Sequence, residues 1–355
     1  MEIKNDFNLK NFFTCRPLWD NAGCFTFSSI YATLAGMEDK DMYGSDSSRP
    51  FGNTGFSASM LKTIACITMF IDHLGATLIY ELDARGAFAS IFPGKDLFVY
   101  SMFRLVGRIA FVLFAFLLAE GFTCTSDKRR YFLRLLSGAV ISEIPFNLIS
   151  SRQLFDLWNR NVFFTLLIGF CTLWGIEAVS GPEKTASARK SEQHAAEQIR
   201  FSSKALRILF IILIILAGML TAEILRTDYG CLGVGLIAAF YLLRNNKMAL
   251  VIGGAMVYYI MDIVENFCHY IVRVARDQGF ERMYIGLSQN WSALLRTYSM
   301  QILGNTMSAI IAAMLLIMSY NGTKGRQLPK TFYYLFYPIH MLVLYFALRL
   351  FLHLG

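Results

Sequence analysis

The sequence predicts an all-α fold, a polytopic membrane helix bundle with about nine transmembrane helices. Three observations carry this. Of 355 residues, 55 % are hydrophobic, 15 % aromatic and 16 % charged, where a soluble domain is about a quarter charged; the mean hydropathy is +0.46. The apolar residues gather into about nine runs close to the roughly 20 residues that a spanning helix needs. Finally, the basic residues behind the formal charge of +8 and the pI near 9.1 sit in short connections between alternate runs. That is the mark of membrane topology. No basic run is interleaved with aromatics, so nucleic acid is not an expected partner.

Residues 1–57 mix Gly, Ser, Asp and Asn with a few aromatics and end in Gly44-Ser45-Asp46-Ser47-Ser48-Arg49-Pro50. They read as a loosely ordered polar extension with no signal-peptide core. The apolar runs then lie near 58–80, 98–120, 131–150, 161–179, 204–223, 230–243, 248–268, 297–319 and 331–353. The sixth is short enough to be tilted, broken or re-entrant. The small polar stretch 181–203 suits a flexible linker.

Alternate connections hold Lys128, Arg129 and Arg130; Lys184, Arg189, Lys190, Arg200, Lys204 and Arg207; Arg244 and Lys247; and Lys324, Arg326 and Lys330. The positive-inside rule makes these cytoplasmic, with the amino terminus inside and the carboxyl terminus outside a bacterial inner membrane. Residues 269–296, with Arg273, Arg276, Arg282 and Arg296, strain the rule on the outer side.

Seven cysteines (Cys15, Cys24, Cys66, Cys124, Cys171, Cys231 and Cys268) include no C-x-x-C pair, so neither a metal site nor a disulfide framework is expected. No phosphate-binding glycine loop occurs, which leaves nothing to suggest a nucleotide-hydrolysing pump.

The informative residues are polar groups inside apolar runs, where a charge costs at least a few kcal/mol. A helix rises about 1.5 Å per residue, which places His73 roughly 22 Å up the first run, with Arg104 and Arg108 roughly 24 and 18 Å above the inner end of the second. Glu143 falls at roughly 18 Å, Asn161 and Thr165 at roughly 27 and 21 Å. These groups share one level in the outer half of the membrane. Arg104 and Arg108 are four apart on one face and need an anionic or carbonyl-rich partner between them. Asp72, about 100° around the helix from His73, is a candidate to balance one of them. Gln301, Asn305 and Ser308 form a polar stripe on the eighth run. Two readings stay open for these residues: a structural network holding the bundle together, or a site. Glu120, near the inner surface, reads equally as a cap or a site residue, Asp228-Tyr229-Gly230 as turn chemistry, and His340 sits beside the kink-forming Pro338.

In order along the chain, Leu61-Lys62 to Gly75 with Ile71-Asp72-His73-Leu74-Gly75, Gly107-Arg108-Ile109-Ala110-Phe111 through Glu120-Gly121-Phe122, Ser142-Glu143-Ile144-Pro145-Phe146, Asn161-Val162-Phe163-Phe164-Thr165, and Asp228-Tyr229-Gly230 resemble the TraX family over roughly residues 58–353. The closing Phe336-Tyr337-Pro338-Ile339-His340 is more weakly similar to the last span of the broader integral-membrane acyltransferases. The first resemblance implies acetyl transfer from acetyl-CoA at the inner membrane, as in the pilin amino-terminal acetylation that gives the family its name in conjugation. The acceptor is left open: a protein amino terminus, a glycan or a small molecule.

Acyl transfer needs a base for the nucleophile and cationic or hydrogen-bonding groups for the oxyanion. His73 is the expected base, Arg104 or Arg108 the oxyanion or acceptor group, Glu143 the residue orienting one of them, and Asn161 a hydrogen-bond donor. Asp72, Glu120, Thr165, Asp228, Asn305 and His340 are expected to support them. Lys128, Arg129, Arg130 and Arg134 are candidates for the phosphates of acetyl-CoA. The same buried groups would also serve a proton- or anion-coupled transporter, and a non-catalytic scaffold for surface or pilus assembly is the third reading.

Overall fold

The computed structural model describes residues 55–93, 97–156, 158–180, 204–278, 306–326 and 330–354. Most of the polar extension, the linker 181–203, and both Gln301 and Asn305 lie outside the described residues. The described chain forms nine helices and no strand: α1 (Ala58–Ala84), α2 (Phe98–Cys124), α3 (Lys128–Ser150), α4 (Val162–Ser180), α5 (Lys204–Ile224), α6 (Gly230–Leu242), α7 (Lys247–Gln278), α8 (Met307–Met318) and α9 (Lys330–Leu354). Seven are long and apolar enough to cross a membrane. The 13-residue α6, already marked as short by its sequence, and the 12-residue α8 are not. One expectation changes: α7 runs for 32 residues, so the start of the stretch expected to be an outer connection continues the helix to Gln278.

The helix starts follow from local chemistry. Ser57 caps α1 by accepting from the Met60 N–H, Asp127 caps α3 by accepting from Arg130, and Asn161 opens α4 by accepting from the Phe163 N–H at 3.0 Å. The Asp83 carboxylate, at the far end of α1, accepts from the Tyr100 N–H and so satisfies a free donor in the first turn of α2.

The bundle is organised around α2, which packs against α1, α4, α6 and α8. Its Phe111, Phe116 and Phe122 are buried together with Phe170 of α4 and Phe240 of α6. The outer face of α5 is the opposite case. Leu209, Ile212, Leu213, Leu216 and Leu220 are all exposed among the described residues, an apolar stripe suited to lipid. The protein is a multi-pass membrane protein in contact with the bilayer.

Backbone pairing closes both ends of the bundle. At the basic end, Phe56 exchanges hydrogen bonds with Ser319 and Asn321, while the Ala58 and Ser59 N–H groups donate to the Thr323 and Lys324 carbonyls. At the opposite end, Arg160 N–H donates to the Arg226 carbonyl at 3.1 Å and Asp228 N–H donates to the Arg160 carbonyl at 2.9 Å.

The helices α1 and α2 cross closely. Inside α1, residues Gly75–Ile79 form a π-helical turn, and such turns widen the backbone ladder locally. The Thr77 hydroxyl donates to the His73 carbonyl at 2.7 Å. A Cβ on Gly75 would stand 2.5 Å from that of Phe103, and one on Gly107 would overlap the Asp72 carboxylate. Gly107→Val should therefore lower stability by about 1–3 kcal/mol or more through overpacking. Gly235→Ala, where the nearest atoms belong to the flexible Met219 side chain at 3.8 Å, should be tolerated. Thermal unfolding of both purified variants in lipid nanodiscs checks this; equal midpoints would refute the close crossing.

Candidate active site

Asp72 and His73 occupy adjacent positions on α1, one step of about 100° apart, and the structure sends them to different partners. The Asp72 carboxylate pairs with Arg104 of α2 at 2.7 Å, as its position suggested. Arg108 is within Coulombic reach of the same carboxylate, which answers the need for an anion between the two guanidiniums.

His73 turns toward α9. Its Nδ1 lies 2.7 Å from Nε2 of His340, with the ring centroids 5.0 Å apart and 14° between the planes, so that the two rings meet edge to edge and nearly coplanar. On its far side, His340 Nδ1 is 2.6 Å from the Phe336 carbonyl oxygen. Aromatic rings enclose the pair: Tyr337 meets His73 edge-on at 5.6 Å and Phe336 stacks on His340 at 4.9 Å. Two histidines 267 residues apart in sequence are thus joined inside the bundle.

Between α1, α2, α9 and the α5–α6 turn lies a cavity of about 30 Å³, room for about one water. Asp72, His73, Asp228, Tyr229 and Tyr337 supply its polar edge; Met69, Ala110, Phe111, Phe114 and Val162 supply the apolar wall. Tyr229 is held in a left-handed conformation, φ 65°, with its ring stacked 3.8 Å from Phe111. Such a backbone is strained for a non-glycine residue and survives because both sides are anchored. The Thr165 hydroxyl donates to the Asp228 carbonyl and the Arg160 backbone clamps Arg226 and Asp228. The motif read as ordinary turn chemistry therefore presents an aromatic hydroxyl to the site.

Several expected roles change. Glu143 does not orient Arg104 or Arg108. Its two oxygens accept from Arg160 at 2.9 Å and Asn161 at 2.6 Å, because both of these residues enter α4 directly opposite it. Asn161, fully buried, also donates to the Ala139 carbonyl at 2.8 Å and caps α4. With both of its amide hydrogens committed, it is a structural joint rather than a donor in the site. Glu120 is thirteen residues along α2 from Gly107, roughly 20 Å away, where it takes a 3.4 Å hydrogen bond from Tyr320. It belongs to the basic end. Asn305 lies outside the described residues.

The four candidate phosphate ligands do not converge. Lys128 pairs with Glu177 and lies over the Phe122 ring, Arg130 pairs with Asp127 of its own turn at 3.1 Å, and Arg134 lies over Tyr131. Arg129 is exposed at the edge of an apolar groove with Phe132, Leu133 and Trp174. Sequence reasoning missed Arg160, Tyr229 and Tyr337. Tyr337 carried a usable signal, since it is three residues from His340 and so shares its helix face.

A family profile described as "TraX protein" matches residues 57–348. A protein of Dichelobacter nodosus, described as "Probable fimbrial assembly protein FimC, serogroup H1", is 34 % identical over 128 residues, which cover 34 % of this chain and 47 % of the relative. The chain thus spans about half the length of that curated relative. No solved structure matches it.

Asn161→Ala removes two donor bonds and a helix cap from a buried position. It should cost about 1–3 kcal/mol and lower the unfolding temperature in detergent, whereas an unchanged midpoint would refute its structural role.

Proposed function

The chain belongs to the TraX family, and we propose that it is an integral-membrane acyltransferase, moving acetyl from acetyl-CoA to an amine or hydroxyl on an extracytoplasmic or membrane-embedded acceptor. The observation that carries this reading is the small cavity inside the helix bundle, with an imidazole, the carboxylate that pairs with Arg104 and two tyrosines on its polar edge. A buried imidazole in such a place supplies a base, and fixed donors around it stabilise an oxyanion.

In this mechanism the acceptor loses its proton to His73 Nε2, the nitrogen not engaged by His340, as its lone pair attacks the thioester carbonyl. Arg104, held by Asp72, is the cation assigned to the developing oxyanion, with the Tyr229 and Tyr337 hydroxyls as further donors. Collapse breaks the C–S bond, and His73 returns the proton to the thiolate, releasing CoA and the acylated acceptor.

The orientation read from the loops places the basic end in the cytoplasm of a bacterial cell, on the acetyl-CoA side. From there the thioester has about 20 Å to travel to reach His73. The name of the Dichelobacter relative favours an acceptor in fimbrial or pilus assembly, such as the amino terminus of a fibre subunit.

Membrane vesicles from producing cells, supplied with radiolabelled acetyl-CoA, should incorporate label into protein, glycan or lipid; His73→Ala should reduce this by about 10²-fold or more. Equal incorporation by both would sink the reading, and proton or anion flux in liposomes free of acyl-CoA would favour a transporter. For the orientation, alkaline phosphatase fused after Gly355 should be active, and the same enzyme inserted within 181–203 should be silent. The reverse pattern would invert the topology.

A further inference from the structure

We propose that His340 is a positioning residue that fixes the tautomer of His73, placing its proton on Nδ1 and leaving Nε2 bare toward the cavity. This rests on the acyl-transfer reading for its purpose, but its geometry is independent of it.

The assignment follows from donor and acceptor counting along the three groups in turn, the Phe336 carbonyl, His340 and His73. A carbonyl oxygen only accepts, so His340 Nδ1, 2.6 Å from the Phe336 oxygen, must carry a hydrogen. A neutral imidazole has one N–H, so His340 Nε2 is left as an acceptor. His73 Nδ1, 2.7 Å from that acceptor, must then be the donor. The remaining nitrogen of His73, Nε2, holds a lone pair and makes no hydrogen bond among the described residues. The opposite arrangement would set two lone pairs against each other, at the Phe336 carbonyl or between the two rings.

The chain Phe336 carbonyl, His340, His73 thus does for an imidazole what a carboxylate does in a hydrolase triad, where the partner of one ring nitrogen decides which tautomer presents the other. The substitution of an imidazole for a carboxylate suits the setting. A second anion beside Asp72 would draw Arg104 or Arg108 away, whereas a neutral ring orients His73 without adding charge to the membrane interior. When His73 gains a proton at Nε2, its Nδ1–H still points at a lone pair, so the positive charge spreads over both rings and ends on a carbonyl dipole. The α9 backbone holds the relay in place: His340 is 5 % exposed and packed by Phe336 and Tyr337, two residues after Pro338.

The test uses the full-length protein in lipid nanodiscs, labelled with ¹⁵N-histidine. Five histidines give signals, and those of His73 are found by their loss in His73→Gln. The wild type should show His73 protonated at Nδ1 and bare at Nε2. His340→Phe keeps the ring and removes both nitrogens; it should shift the His73 proton toward Nε2 and lower label transfer in the vesicle assay by about 10–100-fold. His340→Gln, whose amide oxygen can accept in place of Nε2, should restore the Nδ1 tautomer and recover transfer to within about tenfold of wild type.

A wild-type spectrum with the proton on Nε2 of His73 overturns the assignment, as does His340→Phe with tautomer and transfer both unchanged. If His340→Phe does not fold, the wild-type and His340→Gln spectra decide it. If the wild type transfers no label yet shows the Nδ1 proton, the acyl-transfer reading falls and the histidine pair stands.

Discussion

A charge in the middle of a bilayer finds no water, so the carboxylate of Asp72 and the guanidinium of Arg104 must satisfy each other. The rest of the site depends on that pair. It can form only because position 107 is glycine: the carboxylate fills the space a side chain on α2 would take. Glycine 75 allows the same close approach one turn along α1, at the start of the π-helical turn. With the two helices locked in this register, the residue after Asp72 has no freedom about where to point. His73 faces away from the ion pair, toward α9, and meets His340 there. One adjacent pair in the sequence therefore serves two purposes, the acid fixing the helices and the imidazole remaining available.

A second polar group plays a different part at the same depth. Glu143 binds Arg160 and Asn161, and Arg160 in turn clamps the backbone of Arg226 and Asp228. Every group in this set is occupied by another. Its effect on the cavity is indirect, through the strained backbone of Tyr229, which would relax if the clamp or the hydroxyl of Thr165 released the Asp228 peptide. Burial of charged and amide groups thus has two outcomes in one protein. Where each partner is satisfied by the chain, as at Asn161, the group is a joint; where a nitrogen is left over, as at His73, it is available for chemistry.

That distinction marks the limit of what the sequence disclosed. Hydropathy located all nine helices and identified α6 as short, because run length is a one-dimensional property. Rise per residue put His73, Arg104, Glu143 and Thr165 at one level, because depth along a helix is also one-dimensional. Azimuth and neighbour identity are not. Glu143 and the two arginines of α2 share a depth but face different helices, so the expected contact did not form. The pairing of His73 with His340 joins α1 to α9 across the whole chain, and nothing local to either residue encodes it. Arg160 and Tyr229 lie in connections, where depth counting does not apply and where polar residues look like ordinary turn chemistry. At the start of α3 the neighbours were also hidden from the sequence: Glu177 comes down α4 to meet Lys128, and Asp127 holds Arg130.

The size of the cavity bears on what acyl transfer would require of this site. With room for about one water, it admits an acetyl group only if side chains on its wall move, and Tyr229 and Tyr337 are among the polar groups that border the space. Acyl transfer here would require bulk water to be kept from the thioester, which would otherwise be hydrolysed by the same base that activates the acceptor. The dry wall has a further effect. Coulombic and dipolar interactions in a space lined by Met69, Phe111, Phe114 and Val162 are stronger than in water, so one cation fixed by Asp72 can stabilise an oxyanion without the several donors that a solvated site needs. The arrangement places the ion pair, the apolar wall and the free imidazole nitrogen in mutual dependence. Exposing the cavity to water would weaken the electrostatic contribution and admit the competing nucleophile at the same time.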